Sequence, residues 1–212
     1  MRNFAPMKQP AIQKPEGLSE VLLHACCAPC SSAIVEWMLA NGVRPVIYYF
    51  NPNIWPREEY EIRKNESKRH AESLGLRWID GDYNHEAWRE GVCGLEGEPE
   101  RGRRCEQCFK LRMIAAAKKA QELNIPYFTT TLASSRWKNL DQINQAGLFA
   151  EHTIHQHPSP ITQYPKFWAQ NWRKGGLYER RNQLLKEYNF YNQQYCGCEF
   201  SMRDKSTEST EK

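Results

Sequence analysis

Short apolar runs alternate with longer amphipathic stretches along most of this 212-residue chain. Runs rich in β-branched and aromatic residues predict strands over 21–25, 45–50, 76–79 and 127–132. Stretches with apolar residues at helical spacing predict helices over 33–40, 56–74, 86–92, 109–123, 140–151 and 177–192. Strands that alternate with helices in this way predict βαβ units. The fold class is therefore α/β: a Rossmann-like parallel sheet flanked by helices, with a helical C-terminal part.

The pattern weakens at both ends and at one internal stretch. Residues 1–17 contain three prolines and little apolar periodicity, which predicts a flexible N-terminal tail. Residues 203–212 are polar throughout and predict a disordered C-terminal tail. Residues 153–165 predict a loop. We expect a single catalytic α/β domain over 18–202, because no shift in composition divides this range.

Composition limits the cellular compartments and the classes of partner that we expect for this protein. The sequence has no apolar run long enough to span a membrane and no N-terminal apolar region typical of a secretion signal. We therefore expect a cytoplasmic protein without a membrane partner. The formal net charge of +4 is compatible with a nucleic-acid partner but does not require one.

Candidate chemistry lies in the eight cysteines. All but Cys93 fall into three clusters, which are Cys26-Cys27-x-x-Cys30, Cys105-x-x-Cys108 and Cys196-x-Cys198. Structural disulfides are rare in a reducing compartment, so these clusters point to metal binding or to redox catalysis. The first cluster directly follows a predicted strand, at the sheet edge where α/β folds bind ligands.

The spacing alone leaves three chemistries open. Cys-x-x-Cys pairs are typical of iron–sulfur clusters, and a structural zinc site has the same appearance in sequence. Cys27-Ala-Pro-Cys30 between a strand and a helix also fits a thiol–disulfide oxidoreductase. The number of clustered thiols exceeds what one zinc needs. In addition, Cys26 and Cys27 would point apart if the strand continued through them, which favours two separate sites.

Cys196-Gly-Cys198 allows two interpretations. A Cys-Gly-Cys segment can close a strained, redox-active disulfide, or it can give two thiolates to a metal. The sequence does not choose between them.

Several long motifs resemble the QueH family of epoxyqueuosine reductases, over about residues 21–204. The N-terminal ones are Leu22-Leu23-His24-x-Cys26-Cys27-Ala28-Pro29-Cys30-Ser31 and Tyr49-Phe50-Asn51-Pro52-Asn53-Ile54 with Glu59-Tyr60. The central ones are Glu98-Pro99-Glu100-Arg101-Gly102-x-Arg104-Cys105-x-x-Cys108-Phe109, Phe128-Thr129-Thr130-Thr131-Leu132 and Ser135-Arg136-Trp137-Lys138. The last is Gln194-Tyr195-Cys196-Gly197-Cys198-x-x-Ser201.

The resemblance implies a reaction, its cofactors and its partners. The family reduces epoxyqueuosine in tRNA to queuosine, the last step of that modification, with a [4Fe-4S] cluster and an adjacent metal such as a mononuclear iron. On this chain the implied cluster ligands are Cys26, Cys27, Cys105 and Cys108. Cys196 and Cys198 become a catalytic redox pair or ligands of the neighbouring iron. The implied partners are tRNA carrying epoxyqueuosine and an electron donor that the sequence does not identify. The role of Cys30 stays open.

Two further groups are candidates for this chemistry. His24 and Tyr195 border cysteine motifs and are possible proton donors, although a histidine that ends an apolar run is usually a core residue. Basic residues interleaved with tryptophans could bind RNA phosphates and stack its bases. This set is Arg101, Arg103, Arg104, Arg136, Trp137, Lys138, Trp168, Trp172, Arg173, Lys174, Arg180 and Arg181.

Overall fold

The computed structural model describes residues 12–156 and 164–202. The strands are β1 (Glu20–His24), β2 (Arg44–Tyr49), β3 (Trp78–Asp80), β4 (Tyr127–Thr130) and β5 (Lys166–Phe167). The helices are α1 (Ala28–Ala40), α2 (Arg57–Ser73), α3 (His85–Gly91), α4 (Arg103–Glu122), α5 (Leu140–His155) and α6 (Leu177–Glu187), with a 3-10 helix over Thr131–Ser134.

The strands form one sheet in the order β3-β2-β1-β4-β5, and every pairing is parallel. The central strand β1 pairs on both sides, with Leu22 opposite Val46 of β2 and Phe128 of β4. Its apolar residues are fully buried, as expected for a parallel strand covered by helices on both faces. Helix α1 packs against α2 and α6, whereas α4 packs against α5. The predicted α/β sheet with flanking helices is confirmed.

The order of the strands creates a crevice at the centre of the sheet. From β1 the chain moves outward to β2 and β3, and it then returns to place β4 on the other side of β1. At such a reversal the connections leave in opposite directions, and ligands bind outside the carboxyl ends of the strands. The segments that follow β1 and β4 therefore border a natural binding site.

Helix α1 begins earlier than the sequence predicts. It starts at Ala28 with Pro29 in its first turn, where the missing N–H of proline costs no hydrogen bond. Cys27 is the N-cap, and the hydroxyl of Ser31 donates to the carbonyl of Cys27 at 3.1 Å. Cys30 consequently lies in the first turn of α1.

Other boundaries also differ. The fourth strand ends at Thr130, because the Thr130 hydroxyl accepts a hydrogen bond from the Leu132 N–H at 3.1 Å and turns the chain into the 3-10 helix. Helix α5 continues to His155, where the sequence predicted a loop from 153. Helix α6 ends at Glu187 and does not reach 192. Residues 157–163 of the predicted loop lie outside the described residues.

The packed part of the chain begins before residue 18. The Ile12 side chain is 2% exposed and belongs to the main core, and the Gln13 carbonyl accepts a hydrogen bond from the Trp168 indole at 3.2 Å. The remainder of the predicted N-terminal tail, residues 1–11, and the predicted C-terminal tail, 203–212, lie outside the described residues. None of the described helices has the length and apolar character that a membrane crossing requires.

Candidate metal and substrate site

Three buried thiols meet where β1 gives way to α1. Cys26 follows the strand, Cys27 caps the helix and Cys30 lies in its first turn. Their sulfur atoms all lie within 4.8 Å of one another, a spacing at which they could bind one metal ion. We call Cys26, Cys27 and Cys30 the triad; within the described residues it is the one such group of three or more potential ligands.

The position of the triad corrects the expectation that Cys26 and Cys27 point apart. That expectation required the strand to continue through both residues, but β1 ends at His24. The backbone leaves the sheet at this point, and the Cys26 and Cys27 sulfurs lie 3.9 Å apart. Two neighbouring cysteines can therefore serve one site.

Of the three thiols in the triad, Cys26 is the one whose surroundings favour the thiolate. Hydrogen bonds from Cys27 and Cys30 lower the pKa of Cys26 well below that of an ordinary thiol, with further help from Lys138 and Thr131. The Thr131 hydroxyl accepts from the Cys26 N–H at 3.0 Å and donates to the Cys26 sulfur at 3.3 Å. Burial raises the pKa of Cys27, and the hydrogen bond with Cys26 raises the pKa of Cys30 to about 11. Metal binding would displace the protons of the latter two thiols.

The other clustered cysteines form a second thiol group, defined as Cys105, Cys108, Cys196 and Cys198. Cys105 and Cys108 lie in the first turns of α4, and Cys108 packs with Cys198 against Trp88. Burial and the neighbouring Cys196 raise the pKa of Cys105 to about 11, and burial with Cys108 and Cys196 raises that of Cys198 to about 12. These cysteines are close enough to influence one another's charge, although no three of them reach the spacing of the triad within the described ranges.

The predicted cluster ligands are thus divided between the two groups. Cys26 and Cys27 belong to the triad, whereas Cys105 and Cys108 lie with Cys196 and Cys198. All eight cysteines have free thiols, Cys196 and Cys198 included. Cys93 is exposed and lies in neither group.

A cavity at the crevice of the sheet connects the two groups. Cys26 of the triad and Cys196 of the second group both contribute to its wall. Asn51 and Asn53 come from the loop after β2, and Leu132 and Lys138 follow β4, as the topology of the sheet leads one to expect.

Three cationic side chains line the same cavity: Arg63, Arg112 and Lys138. Burial disfavours the Lys138 ammonium, but the nearby Cys196, Cys26 and Cys30 outweigh this effect and raise the pKa of Lys138. The Arg112 guanidinium is buried and donates to the side-chain carbonyl of Asn51. Buried cations beside sulfur favour thiolates over thiols, so the wall of this cavity suits a negatively charged occupant.

Two buried polar atoms of this wall have no hydrogen-bond partner within the described residues. They are Nε of Arg112, a donor, and Oδ1 of Asn53, an acceptor. Leaving a buried donor or acceptor unsatisfied is costly, and at the wall of a cavity these two atoms are available to hydrogen-bond a bound group.

Arg63 fixes the segment that carries Cys196. It lies in α2, where Nε donates to Glu59 Oε1 at 2.7 Å, and its remaining nitrogens donate to the carbonyls of Tyr195 at 3.3 Å and Cys196 at 3.2 Å. The Trp55 N–H donates to the Gly197 carbonyl at 2.8 Å. Gly197 has φ 108°, and a Cβ there would approach Arg63 and Ile54 to 3.0 Å, which explains the glycine between the two cysteines.

Neither candidate proton donor is available in this arrangement. Nε2 of His24 must carry the proton because it meets the Phe50 carbonyl at 3.0 Å, so Nδ1 accepts from the Thr130 hydroxyl at 2.8 Å. Burial lowers the pKa of His24 to about 3, which makes it a neutral core residue. Tyr195 donates its hydroxyl to the Trp55 carbonyl, and burial raises its pKa to about 12.

Several members of the predicted RNA-binding set have structural roles instead. Trp168 and Trp172 are 5% and 1% exposed and pack against Trp37 in the core. Arg104 is buried and donates to the Glu96 carbonyl at 3.0 Å. Arg180 is paired with carboxylates of α1 and α6. Residues near Trp137 remain as candidates.

Sequence reasoning missed Arg63 and Arg112. Both lie in helices where a basic residue normally faces solvent. The sequence positions of the two arginines give the only indication of their burial. Arg63 follows Glu59 by four residues, the spacing of a helical ion pair. Arg112 falls among the apolar positions of α4.

Comparison with solved structures finds the U34-tRNA thiolase NcsA from Methanococcus maripaludis with its [4Fe-4S] cluster. The TM-score is 0.46 at 11% sequence identity, and the match covers 91% of this chain and 66% of that one.

Sequence comparison gives a much stronger relation. The chain is 43% identical over 199 residues to the epoxyqueuosine reductase QueH of Histophilus somni, a match that covers 94% of this chain and 79% of the relative. It is 33% identical over 198 residues to the protein of the same name from Thermotoga maritima, covering 92% and 96% of the two chains. The sequence model of the family described as epoxyqueuosine reductase QueH matches residues 21–204. This chain belongs to the epoxyqueuosine reductase QueH family.

Proposed function

We propose that this protein reduces epoxyqueuosine in tRNA to queuosine, with a thiolate-bound [4Fe-4S] cluster in the crevice of its sheet. Removal of the epoxide oxygen as water takes two electrons and two protons. The observation that carries the proposal is the buried triad of Cys26, Cys27 and Cys30, of which Cys26 lines a cavity together with three cationic side chains.

The residues present fit such a cofactor. Thiolates are the usual ligands of iron–sulfur clusters, and buried cations compensate the negative charge of a thiolate-bound cluster. The unpartnered Arg112 Nε would provide a hydrogen-bond donor to sulfur. When bound, the cluster would supply electrons one at a time.

Two ligand sets are compatible with the two groups of thiols. The set implied by family resemblance is Cys26, Cys27, Cys105 and Cys108, whereas the geometry supports Cys30 as the third ligand beside Cys26 and Cys27. In either case Cys196 and Cys198 remain for a redox pair or for a mononuclear iron.

Side chains of the cavity would orient the substrate and donate hydrogen bonds to it. Lys138 lines the cavity with Cys26 and Cys196 and keeps its proton on Nζ, so its ammonium group would donate a hydrogen bond to the oxygen of an epoxide bound there. Asn51 and Asn53 offer amide groups to the polar edge of the nucleoside. The buried walls at Ile54 and Leu132 would limit access of water.

Nucleoside analysis of tRNA tests the reaction directly. Cells that lack their own reductase accumulate epoxyqueuosine, and we expect queuosine to appear in its place when this chain is expressed. Protein purified without oxygen should contain iron and acid-labile sulfide. Stoichiometric zinc without sulfide, together with unchanged tRNA, would instead indicate a zinc-stabilised RNA-binding module.

The thiol pKa values argue against a thiol–disulfide oxidoreductase that uses Cys27 and Cys30. Such enzymes depend on a nucleophilic cysteine of lowered pKa at a helix N-terminus. Here the pKa of Cys27, the N-cap of α1, is raised by burial, and that of Cys30 is raised as well. A C105A/C108A variant that still reduced insulin disulfides would nevertheless favour this function.

A further inference from the structure

The turn between the 3-10 helix and α5 is held rigidly from both sides. The Arg101 Nε donates to the Trp137 carbonyl at 2.9 Å, and an Arg173 nitrogen donates to the Lys138 carbonyl at 2.8 Å. Asn139 caps α5 by accepting from the N–H groups of the helix's first turn. This part of the chain is therefore fixed, although it is a connecting segment.

Two neighbouring side chains of this turn differ sharply in exposure. Lys138 is half-buried and lines the cavity beside Cys26 and Cys196. The Trp137 side chain is 78% exposed, more than any other large apolar residue of the described ranges. A single exposed apolar residue is ordinary. An exposed tryptophan that directly precedes a cavity-lining residue is a suitable platform for a flat ring.

Three arginines lie next to Trp137 along the chain or bond to its turn: Arg136 precedes it, Arg101 donates to its carbonyl, and Arg173 donates to the carbonyl of Lys138. Burial, followed by the charges of Arg101 and Arg136, lowers the pKa of Arg173. Arg136 stacks on the Tyr178 ring, 3.6 Å from its centroid. Within the part of the chain that the structure describes, no carboxylate forms a salt bridge with any of the three. We call Arg101, Arg136, Trp137 and Arg173 the Trp137 patch.

Arg101 links this patch to the second thiol group. It is a non-glycine residue with φ 66°, a conformation that is usually retained only where the surroundings require it. Its N–H donates to the Cys105 sulfur at 3.3 Å, and its carbonyl accepts from the Gln142 side chain at 2.8 Å. The Arg101 side chain therefore bonds to the Trp137 turn, while its backbone N–H bonds to Cys105 of the second thiol group.

We propose that the Trp137 patch docks a single-stranded RNA loop, with one base stacked on Trp137 and the adjacent phosphates bound by the arginines. This inference rests on the proposed function and adds the surface by which the substrate is recognised. Adjacent uncompensated cations fit phosphates, and an exposed indole fits a splayed base of any sequence. Since Lys138 follows Trp137 directly, a nucleotide next to the stacked base would lie at the cavity.

The test measures RNA affinity with the full chain, reconstituted without oxygen. The probe is a labelled, unmodified anticodon stem–loop, and fluorescence anisotropy gives its Kd at several salt concentrations. We expect Trp137→Ala to raise the Kd about 10-fold with little change in salt dependence, since stacking is not ionic. We expect Arg136→Gln to reduce the slope of log Kd against log salt by about 0.7, the contribution of one single-strand phosphate contact.

Matched substitutions elsewhere control for general effects. Phe149→Ala removes another exposed aromatic side chain, which lies on α5, and Arg77→Gln removes an exposed arginine before β3, at the opposite edge of the sheet. Both should bind within about twofold of the wild-type chain, as expected for surface changes away from an interface. A blunt-ended duplex with the same stem sequence and no loop should bind more weakly, and the Trp137→Ala variant and the wild-type chain should bind it equally well.

The outcomes separate this inference from the function on which it rests. If the wild-type chain produces queuosine in cells and binds the stem–loop, but Trp137→Ala binds equally well, the patch is not the docking surface. Equal weakening by the control substitutions would also overturn it. A wild-type chain that neither binds the stem–loop nor alters tRNA would count against the proposed function itself.

Discussion

The two groups of thiols are built in different ways. The triad is positioned by backbone: Cys26 and Cys27 follow the fully buried central strand, and Cys30 follows in the first turn of α1. The second thiol group has two sources. Cys105 and Cys108 lie at the start of α4, whereas Cys196 lies in a C-terminal segment that forms neither helix nor strand. There the position of Cys196 depends on side chains, chiefly the hydrogen bonds from Arg63 to the Tyr195 and Cys196 carbonyls.

This difference teaches where rigidity comes from in the site. Three-dimensional placement of the triad follows from the sheet, which forms the core of the fold and is protected from local opening. Placement of Cys196 follows from a few polar contacts outside the sheet, made chiefly by the buried Arg63 of α2, and these contacts can break without unfolding the sheet. We therefore expect the triad to act as the fixed centre, and the C-terminal segment as the part that responds to substitution.

The largest effect should come from the centre of the triad. Replacing Cys26 by Ser removes the thiolate on which the other two thiols converge, so we expect iron and sulfide to be lost from the purified protein. Queuosine formation should fall by more than about 100-fold, beyond what loss of a supporting residue around a metal site costs. Cys93→Ser, a substitution of an exposed thiol outside both groups, is the matched control. Normal iron content in Cys26→Ser would contradict a metal centre on the triad.

A pair of substitutions decides between the two ligand sets. If Cys26, Cys27, Cys105 and Cys108 hold the cluster, Cys105→Ala should abolish its assembly, while Cys30→Ala should retain the visible absorption band. If the triad holds it, the opposite result is expected, because Cys30 then supplies one of the corner ligands. Iron, sulfide and absorption spectra of the two variants, purified together without oxygen, give the answer. Loss of the cluster in both variants would show that Cys30 and Cys105 are both needed, so that neither ligand set is complete by itself.

The role of the C-terminal pair is expected to appear in turnover and not in assembly. Cys198→Ser should leave iron–sulfur absorption largely intact and reduce queuosine formation by about 100-fold or more, since a redox pair or a second metal loses one sulfur. Far-ultraviolet circular dichroism and iron content serve as the control for folding. Full activity of this variant would refute both roles proposed for Cys196 and Cys198.

The same contrast explains what the sequence could and could not predict. Hydrophobic periodicity was sufficient for four of the five parallel strands but did not predict the two-residue strand β5, and the position of Cys26 after β1 predicted a site at the sheet's carboxyl edge. Periodicity could not predict that β1 stops at His24, since His24 is held by hydrogen bonds to Phe50 and Thr130 that are distant in sequence. Arg63 and Arg112 escaped notice for a related reason: their burial depends on the loop and C-terminal partners that they meet only in the folded chain.

The smallest expected effect concerns the C-terminal segment alone. Tyr195→Phe removes the hydrogen bond from the Tyr195 hydroxyl to the Trp55 carbonyl and leaves the ring on Arg63. We expect a loss of about 1 kcal/mol in the free energy of unfolding, the usual contribution of one such bond. In protein without bound metal, Cys196 should react faster with an alkylating reagent, whereas the triad should react at an unchanged rate. Tyr127→Phe, at the first residue of β4, is the control. Equal acceleration at Cys26 would show that the two groups open together, and the distinction between a fixed centre and a responsive segment would then be wrong.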